Sequence, residues 1–255
     1  MTIEISLRSR SKKRGWRFWY APHPTVIAVF AFRYDAHLVP GLLQNIEPFI
    51  DGWVSYDDRV IADPPTTEPQ RRRVLMEAAH AAGANWILGV DPDERFEDGL
   101  KDRMAQLTAK RSRFAWSFNF REMYSPTEYR VDGIWGRKRR RRLFPIFDDL
   151  FPIAERRSFS TKLFHREWAP KGYETRHSQL NLYHLKMIAP ARREARRDLY
   201  NALDPDREFQ KIGYDYLADE TGARFERIPP QRAYSPTHVE DGGLWMPDPA
   251  KIVGP

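Results

Sequence analysis

"ANWILGVDPDERF", residues 84–96, is the stretch on which the reading of this chain turns. An apolar run, Trp86 to Val90, is followed at once by Asp91, Pro92, Asp93 and Glu94. Three carboxylates directly behind a buried run are costly anywhere except at a strand end. On extended backbone, side-chain direction repeats every two residues, so Asp91 and Asp93 are expected on one side and Glu94 on the other. Two carboxylates placed in that way can hold one hard divalent ion and leave coordination positions for phosphate oxygens. The same string also reads as an acidic surface turn, so its surroundings decide.

Upstream, "TVIAVFAF" (25–32) is a β-branched apolar run of buried-strand type. In "HLVPGLLQNIEPFI" (37–50), Leu38, Leu42, Leu43 and Ile46 recur at helical spacing. "GWVSYDD" (52–58) reads as a second strand and "ADPPTTEPQ" (62–70) as a Pro-rich loop. A second helix follows in "RRRVLMEAAHAAG" (71–83), with Val74, Leu75, Ala78, Ala79 and Ala82 on one face and Gly83 as its stop. Downstream, Leu100, Met104 and Leu107 mark a third helix. This alternation predicts an α/β fold with a Rossmann-type, mostly parallel sheet covered by helices on both faces. Ligands of such sheets bind outside the carboxyl ends of the strands. Those ends are Phe32-Arg33, Asp57-Asp58 and Asp91-Pro92-Asp93.

With no cysteine, disulfides and thiolate metal sites are excluded, so a metal would be a hard ion such as Mg²⁺ or Mn²⁺ held by carboxylate, imidazole, water or phosphate. The 42 Lys and Arg against 35 Asp and Glu, net +7, favour anionic partners: nucleotides, nucleic acid or an acidic membrane surface. The opening "MTIEISLRSRSKKRGWRFWY" has no continuous apolar core, and no stretch approaches a membrane span, so a soluble, cytoplasmic protein is expected. The sequence divides into a basic aromatic arm (1–22), a main unit (23–190, with halves 25–110 and 111–190) and C-terminal helices with an extended tail (191–255). In the second half "RFAWSFNFREMY" (113–124) alternates like a strand, and 130–147 reads as strand or loop pieces around a basic run. Helices are expected at 191–203 and again at 204–222, the latter with Asp204 as N-cap, Pro205 in the first turn and Gly222 as stop.

The layout resembles the GT-A fold of family 2 glycosyltransferases, and "ANWILGVDPDERF" is similar to that family's "aDWilflDaDE". The resemblance is good over 25–110 and patchy over 111–190. It implies that Asp91 and Asp93 bind Mn²⁺ or Mg²⁺ and the diphosphate of a UDP- or GDP-linked sugar. Phe32 and Arg33 would then lie near the nucleotide, and Asp57 or Asp58 would contact its base or ribose. Two segments depart from the pattern: "FAFRYDAHLVPGLL" stands where a Pro-x-Tyr-Asn type segment is usual, and "SYDDRVIADPP" lacks the "DdgStDgT" ending. Inverting relatives use an Asp or Glu beyond the metal motif as base. "TKLFHREWAP" (161–170) is similar to their His-Glu stretch with one residue inserted, which nominates His165 and Glu167, with Glu167 as the preferred base. "LNLYHLKM" (180–187) offers His184 as a metal or diphosphate ligand; a hydrogen-bonded core histidine is the other reading.

The run from Arg137 to Arg142 carries six positive charges. Arg139, Arg140, Arg141 and Arg142 are candidate contacts to the donor diphosphate or to a polyanionic acceptor such as DNA, a lipid phosphate or a polymer. A solvated loop is the plainer reading. Basic residues interleaved with aromatics near the N-terminus also suit a rival class, a non-catalytic nucleic-acid or anionic-surface binder on a degenerate GT-A scaffold. No helix-turn-helix, zinc or RNP signature accompanies them. A phosphatase of the haloacid dehalogenase type would carry its Asp-x-Asp after the first strand with Thr or Ser close behind, whereas here the motif follows the third strand and leads into Glu94-Arg95-Phe96.

Overall fold

A computed structural model describes residues 2–7, 24–32, 35–57, 64–150, 168–208 and 210–239. The apolar runs of the first half form β2 (Val26–Phe32), β3 (Gly52–Asp57) and β4 (Trp86–Gly89). Between and after them lie α1 (Val39–Ile46), α2 (Pro64–Ala81) and α3 (Leu100–Thr108). Strand β2 is central: it pairs in parallel with β3 on one side and with β4 on the other. The first crossover runs from β2 to β3 and the second returns past β2 to β4, so the strand order reverses at β2, where a crevice opens at the carboxyl ends of these strands.

Alternation along β2 sorts the core into two layers. Val26, Ala28 and Phe30 join Trp86 and Leu88 against Leu42 and Ile46 of α1 and Leu100, Met104 and Leu107 of α3. Ile27 and Val29 join Val54 and Ile87 against Leu75, Met76 and Ala79 of α2 on the other face. Helices thus cover both faces, and burial of these side chains rather than helix propensity holds them there.

The remaining strands are β1 (Thr2–Leu7), β5 (Glu94–Phe96), β6 (Phe114–Ser125), β7 (Glu128–Arg130), β8 (Arg139–Pro145), β9 (Glu174–His184) and β10 (Phe225–Arg227). The main path through the ten-stranded sheet runs β1-β3-β2-β4-β8-β6-β7-β10, with β9 between β5 and β6 off that path. The expectation of a mostly parallel sheet is corrected. Among the described pairings β2–β3, β2–β4 and β6–β9 are parallel and the other six antiparallel. In the second half β6 reverses into β7 by a short turn, and β6 and β7 pair antiparallel, as β6 and β8 do, while β6 and β9 pair in parallel.

Three local readings also change. Residues 2–7 of the expected arm form an edge strand, antiparallel to β3, and the rest of that arm lies outside the described residues. The Pro-rich "loop" is helical from Pro64 onward, because proline in the first turn gives up only an N–H that would have no partner. The second C-terminal helix is absent from the described part of 204–222: α4 (Pro190–Leu203) stops, and a single 3-10 turn covers Asp215–Leu217. Asp204 does not cap a new helix; its carboxylate accepts from the Gln210 backbone N–H at 3.1 Å and the Tyr214 hydroxyl at 2.8 Å, closing a loop. No helix among the described residues is long and apolar enough to cross a membrane.

Candidate functional site

The ladder from β2 to β4 runs out at Val90, whose N–H donates to Val29 O at 3.1 Å. The chain then turns instead of continuing extended: the Glu94 N–H donates to Asp91 O at 3.0 Å. The two-residue period therefore does not govern 91–94, which corrects the expectation that Asp91 and Asp93 share a side for that reason. Asp91 is directed to Arg142 and Asp93 to His184. Glu94 is fully buried, accepts from the Asp91 N–H at 3.0 Å and is ion-paired with Arg142.

Pairing beyond the turn brings its partners in. Strand β5 sets Glu94 opposite His184 of β9, and β6 sets Glu122 opposite the same histidine. His184 Nε2 lies 3.2 Å from Asp93 Oδ2, and its Nδ1 lies 2.5 Å from Glu122 Oε2. Lys138 Nζ continues the line, 3.0 Å from Glu122 Oε1. The imidazole also packs on the Phe120 ring, centroids 4.7 Å apart.

Charges in this row decide each other's protonation. Burial alone would lower His184, but the Glu122 and Asp93 carboxylates outweigh it and raise the ring to about 10. Burial would likewise raise Glu122, yet His184 and Lys138 hold it down at about 2. Asp93 is also held well below the usual carboxylate range: burial opposes this, while His184, Lys186 and Arg192 prevail. Glu94 goes the other way, pushed up to about 7 by burial, with Arg142 offsetting and Asp91 reinforcing. Asp35, on the loop after β2, rises to about 6 through burial and the neighbouring Asp93, against the pull of Lys186, Arg192 and His37.

His184 has a carboxylate against each ring nitrogen, Asp93 at Nε2 and Glu122 at Nδ1, and this pair of contacts fixes the orientation of the ring beside the acidic turn.

From Arg139 onward the basic run is a strand rather than a solvated loop, and it divides. A bulge lies where Trp116 faces Leu143 but Ser117 faces Arg141, so Arg142 is the extra residue. Bulges re-aim side chains, and this one turns Arg142 inward to Asp91 Oδ2 at 2.9 Å and to Glu94. Arg142 is thereby buried beneath the acidic turn and withdrawn from any polyanion contact at the surface. Arg140 lies over the Phe120 ring at 4.8 Å, Arg141 donates to Tyr173 O at 3.4 Å, and Arg139 is exposed.

Phe32 ends β2 and is paired in register with Asp57 at the end of β3. Arg33, Asp58, His165 and Glu167 lie outside the described residues. Phe32, Asp57, Asp91 and Asp93 thus stand at or just beyond the carboxyl ends of the three neighbouring strands β2, β3 and β4. Asp35, Glu122, Lys138 and Lys186 belong to the same neighbourhood and were not assigned to it from sequence. Glu122 sits in an alternating strand, a visible signal, but its partner depends on register.

Among the described residues no three His, Asp or Glu side chains are arranged to hold a metal by themselves. Two adjacent carboxylates remain: Asp91, with a side chain 41% exposed, and Asp93, which stays anionic. Ions of the Mg²⁺ kind typically take one or two carboxylates and complete their shell with water and substrate phosphates.

No family model and no curated protein matches the chain. Among solved structures it is similar to a glycosyltransferase involved in the glycosylation of the major capsid of PBCV-1, at 12% identity and a TM-score of 0.28. That match covers 38% of this chain and about half, 52%, of the other. A likeness of this extent specifies neither donor nor reaction.

Proposed function

We propose that the chain is a metal-dependent, inverting glycosyltransferase that takes its sugar from a nucleoside-diphosphate donor, UDP- or GDP-linked. The observation that carries this reading is the acidic turn Asp91-Pro92-Asp93 at the carboxyl end of β4, beside the ends of β2 and β3, with Arg142, Lys186 and Arg192 around it. Open α/β sheets bind ligands at this position, and alternating fixed charges there suit a metal-bound diphosphate. Asp91 and Asp93 would hold Mg²⁺ or Mn²⁺, which when bound neutralises negative charge building on the departing diphosphate.

In this reading Phe32 and Asp57, with Arg33 and Asp58 carried over from the resemblance, flank the nucleotide. Lys186 and Arg192 offset the negative charge of the donor, and His184, in contact with Asp93, orients that carboxylate. The acceptor oxygen bonds to the anomeric carbon as the bond from that carbon to the diphosphate oxygen breaks. The nucleoside diphosphate leaves with the bonding pair, and the acceptor proton passes to Glu167, the base that the resemblance nominates together with His165. Division of the basic run counts against the rival binder, since its arginines do not form one continuous polyanion surface.

Thermal unfolding with a panel of nucleotide sugars, with and without Mn²⁺, tests this. One UDP- or GDP-sugar is expected to raise Tm by about 5 °C or more at roughly hundredfold excess over Kd, only when Mn²⁺ is present. Asp91→Asn should fold and lose the shift, and Glu167→Gln should keep the shift and lose turnover. A full Mn²⁺-dependent shift in Asp91→Asn would remove the turn from the donor site.

A further inference from the structure

A groove of about 540 Å³, within the usual range for small-molecule sites, opens on the far side of Lys138. Val131, Gly133, Ile134, Arg137, Lys138 and Arg224 line it. Its walls are fixed by the backbone. The Val131 N–H donates to Arg224 O at 2.9 Å, and the Arg224 N–H donates to the Asp132 carboxylate at 3.0 Å. Gly136 holds the 3-10 turn Trp135–Arg137 against the strand end, because a Cβ there would collide with the Val131 carbonyl oxygen.

Two features of the lining point to a ligand. The Arg137 and Arg224 side chains are exposed, and neither guanidinium has a hydrogen-bond or ion-pair partner among the described residues. Between them the surface is apolar, with Ile134 59% exposed. The carboxylate of Asp132, between the lining residues Val131 and Gly133, is already engaged by Arg130 Nε at 2.8 Å. Two unneutralised guanidinia match a dianion better than a carboxylate, and a phosphate monoester carries about −1.5 to −2 at neutral pH. Lys138 joins the groove to the acidic turn, since its ammonium bonds Glu122, which bonds His184, which bonds Asp93.

We propose that this groove binds a phosphate monoester borne on an apolar body, the phosphate held by Arg137 and Arg224 and the apolar part lying on Val131 and Ile134. Its role as the acceptor subsite rests on the transferase reading; its capacity to bind the anion does not.

Calorimetric titration of the whole protein with octyl phosphate below its micelle concentration, inorganic phosphate and neutral octyl glucoside tests the binding. Octyl phosphate should bind most tightly. The double variant Arg137→Ala/Arg224→Ala, altered only at exposed positions, should weaken it about tenfold or more. Ile134→Ser should weaken octyl phosphate and leave inorganic phosphate unchanged. Equal binding of inorganic phosphate would overturn the apolar component, equal binding of octyl glucoside the anion clamp, and wild-type affinity in the folded double variant the site itself. Octyl phosphate should also change Mn²⁺-dependent donor hydrolysis in the wild type and not in the double variant; an unchanged wild-type rate would overturn the acceptor role. Octyl phosphate binding without any nucleotide-sugar shift would defeat the transferase reading and leave the anion site standing.

Discussion

At the scale of single residues, stability and site geometry meet in Arg142. Its side chain is 3% exposed and it faces Glu94, which is fully buried, and Asp91, which is not. Such an arrangement adds little net stability compared with an apolar core, but breaking it on one side strands a charge. Arg142→Ala is therefore expected to cost about 3–5 kcal/mol, and Glu94→Gln in the same background should return a large part of it. Urea denaturation of the two single variants and the double variant checks this, and additive losses would mean that the pair is not coupled. Asp132 gives the matching case away from the acidic turn. The Arg130 guanidinium and the Arg224 backbone N–H hold its carboxyl down at about 2. With a folded pKa below the unfolded value of about 3.9, its contribution is present above that value and lost as the pH falls toward 2. The wild type should thus lose its advantage over Asp132→Asn between about pH 4 and 2, read as converging Tm values.

At the scale of elements, what could be read from the sequence was what repeats locally. Leu38, Leu42 and Ile46 announce α1 by helical spacing, and the apolar runs announce β2, β3 and β4, because these signals depend only on near neighbours. Register does not. Glu122 meets His184 because β9 spends two extra residues where Ser117 faces His177 and Asn119 faces Asn181, with Gln179 turned to φ +66°. Arg142 reaches Asp91 through one extra residue in β8. Neither bulge leaves a local pattern, since each is set by a partner strand more than twenty residues away. The acidic turn was legible as a string and the resemblance placed His184 beside it, while the contacts of His184 with Glu122 and of Arg142 with Asp91 depend on register. Gly89, the last residue of β4, shows how tightly that turn is seated: a Cβ there would run into the buried Trp168 side chain. Gly89→Ala should accordingly destabilise by about 1–3 kcal/mol through overpacking. Trp168→Leu in the same chain should relieve part of that loss, as a shift of the urea midpoint.

At the scale of the whole molecule, the two sequence halves are not two bodies. Strand β8, from the second half, pairs with β4 of the first through Trp86↔Pro145, Ile87↔Phe144 and Leu88↔Leu143. In return β5, from the first half, pairs with β9 of the second. Phe118, Phe120, Leu143 and Leu182 then share one apolar layer with Phe30, Leu88 and Phe96, and the Phe96 and Phe118 ring centroids are 5.0 Å apart. A cut near residue 111 would sever both ladders and divide that layer, exposing on each side the surface that holds the other. The acidic turn lies where the two ladders meet, so Asp91 from one half and Arg142 and His184 from the other keep their distances only while both are folded. Unfolding is therefore expected to be one cooperative transition, with far-ultraviolet circular dichroism and tryptophan fluorescence giving the same midpoint. Two separated midpoints would show that the halves hold independently, and the site would then have to be assembled by docking rather than by the sheet itself.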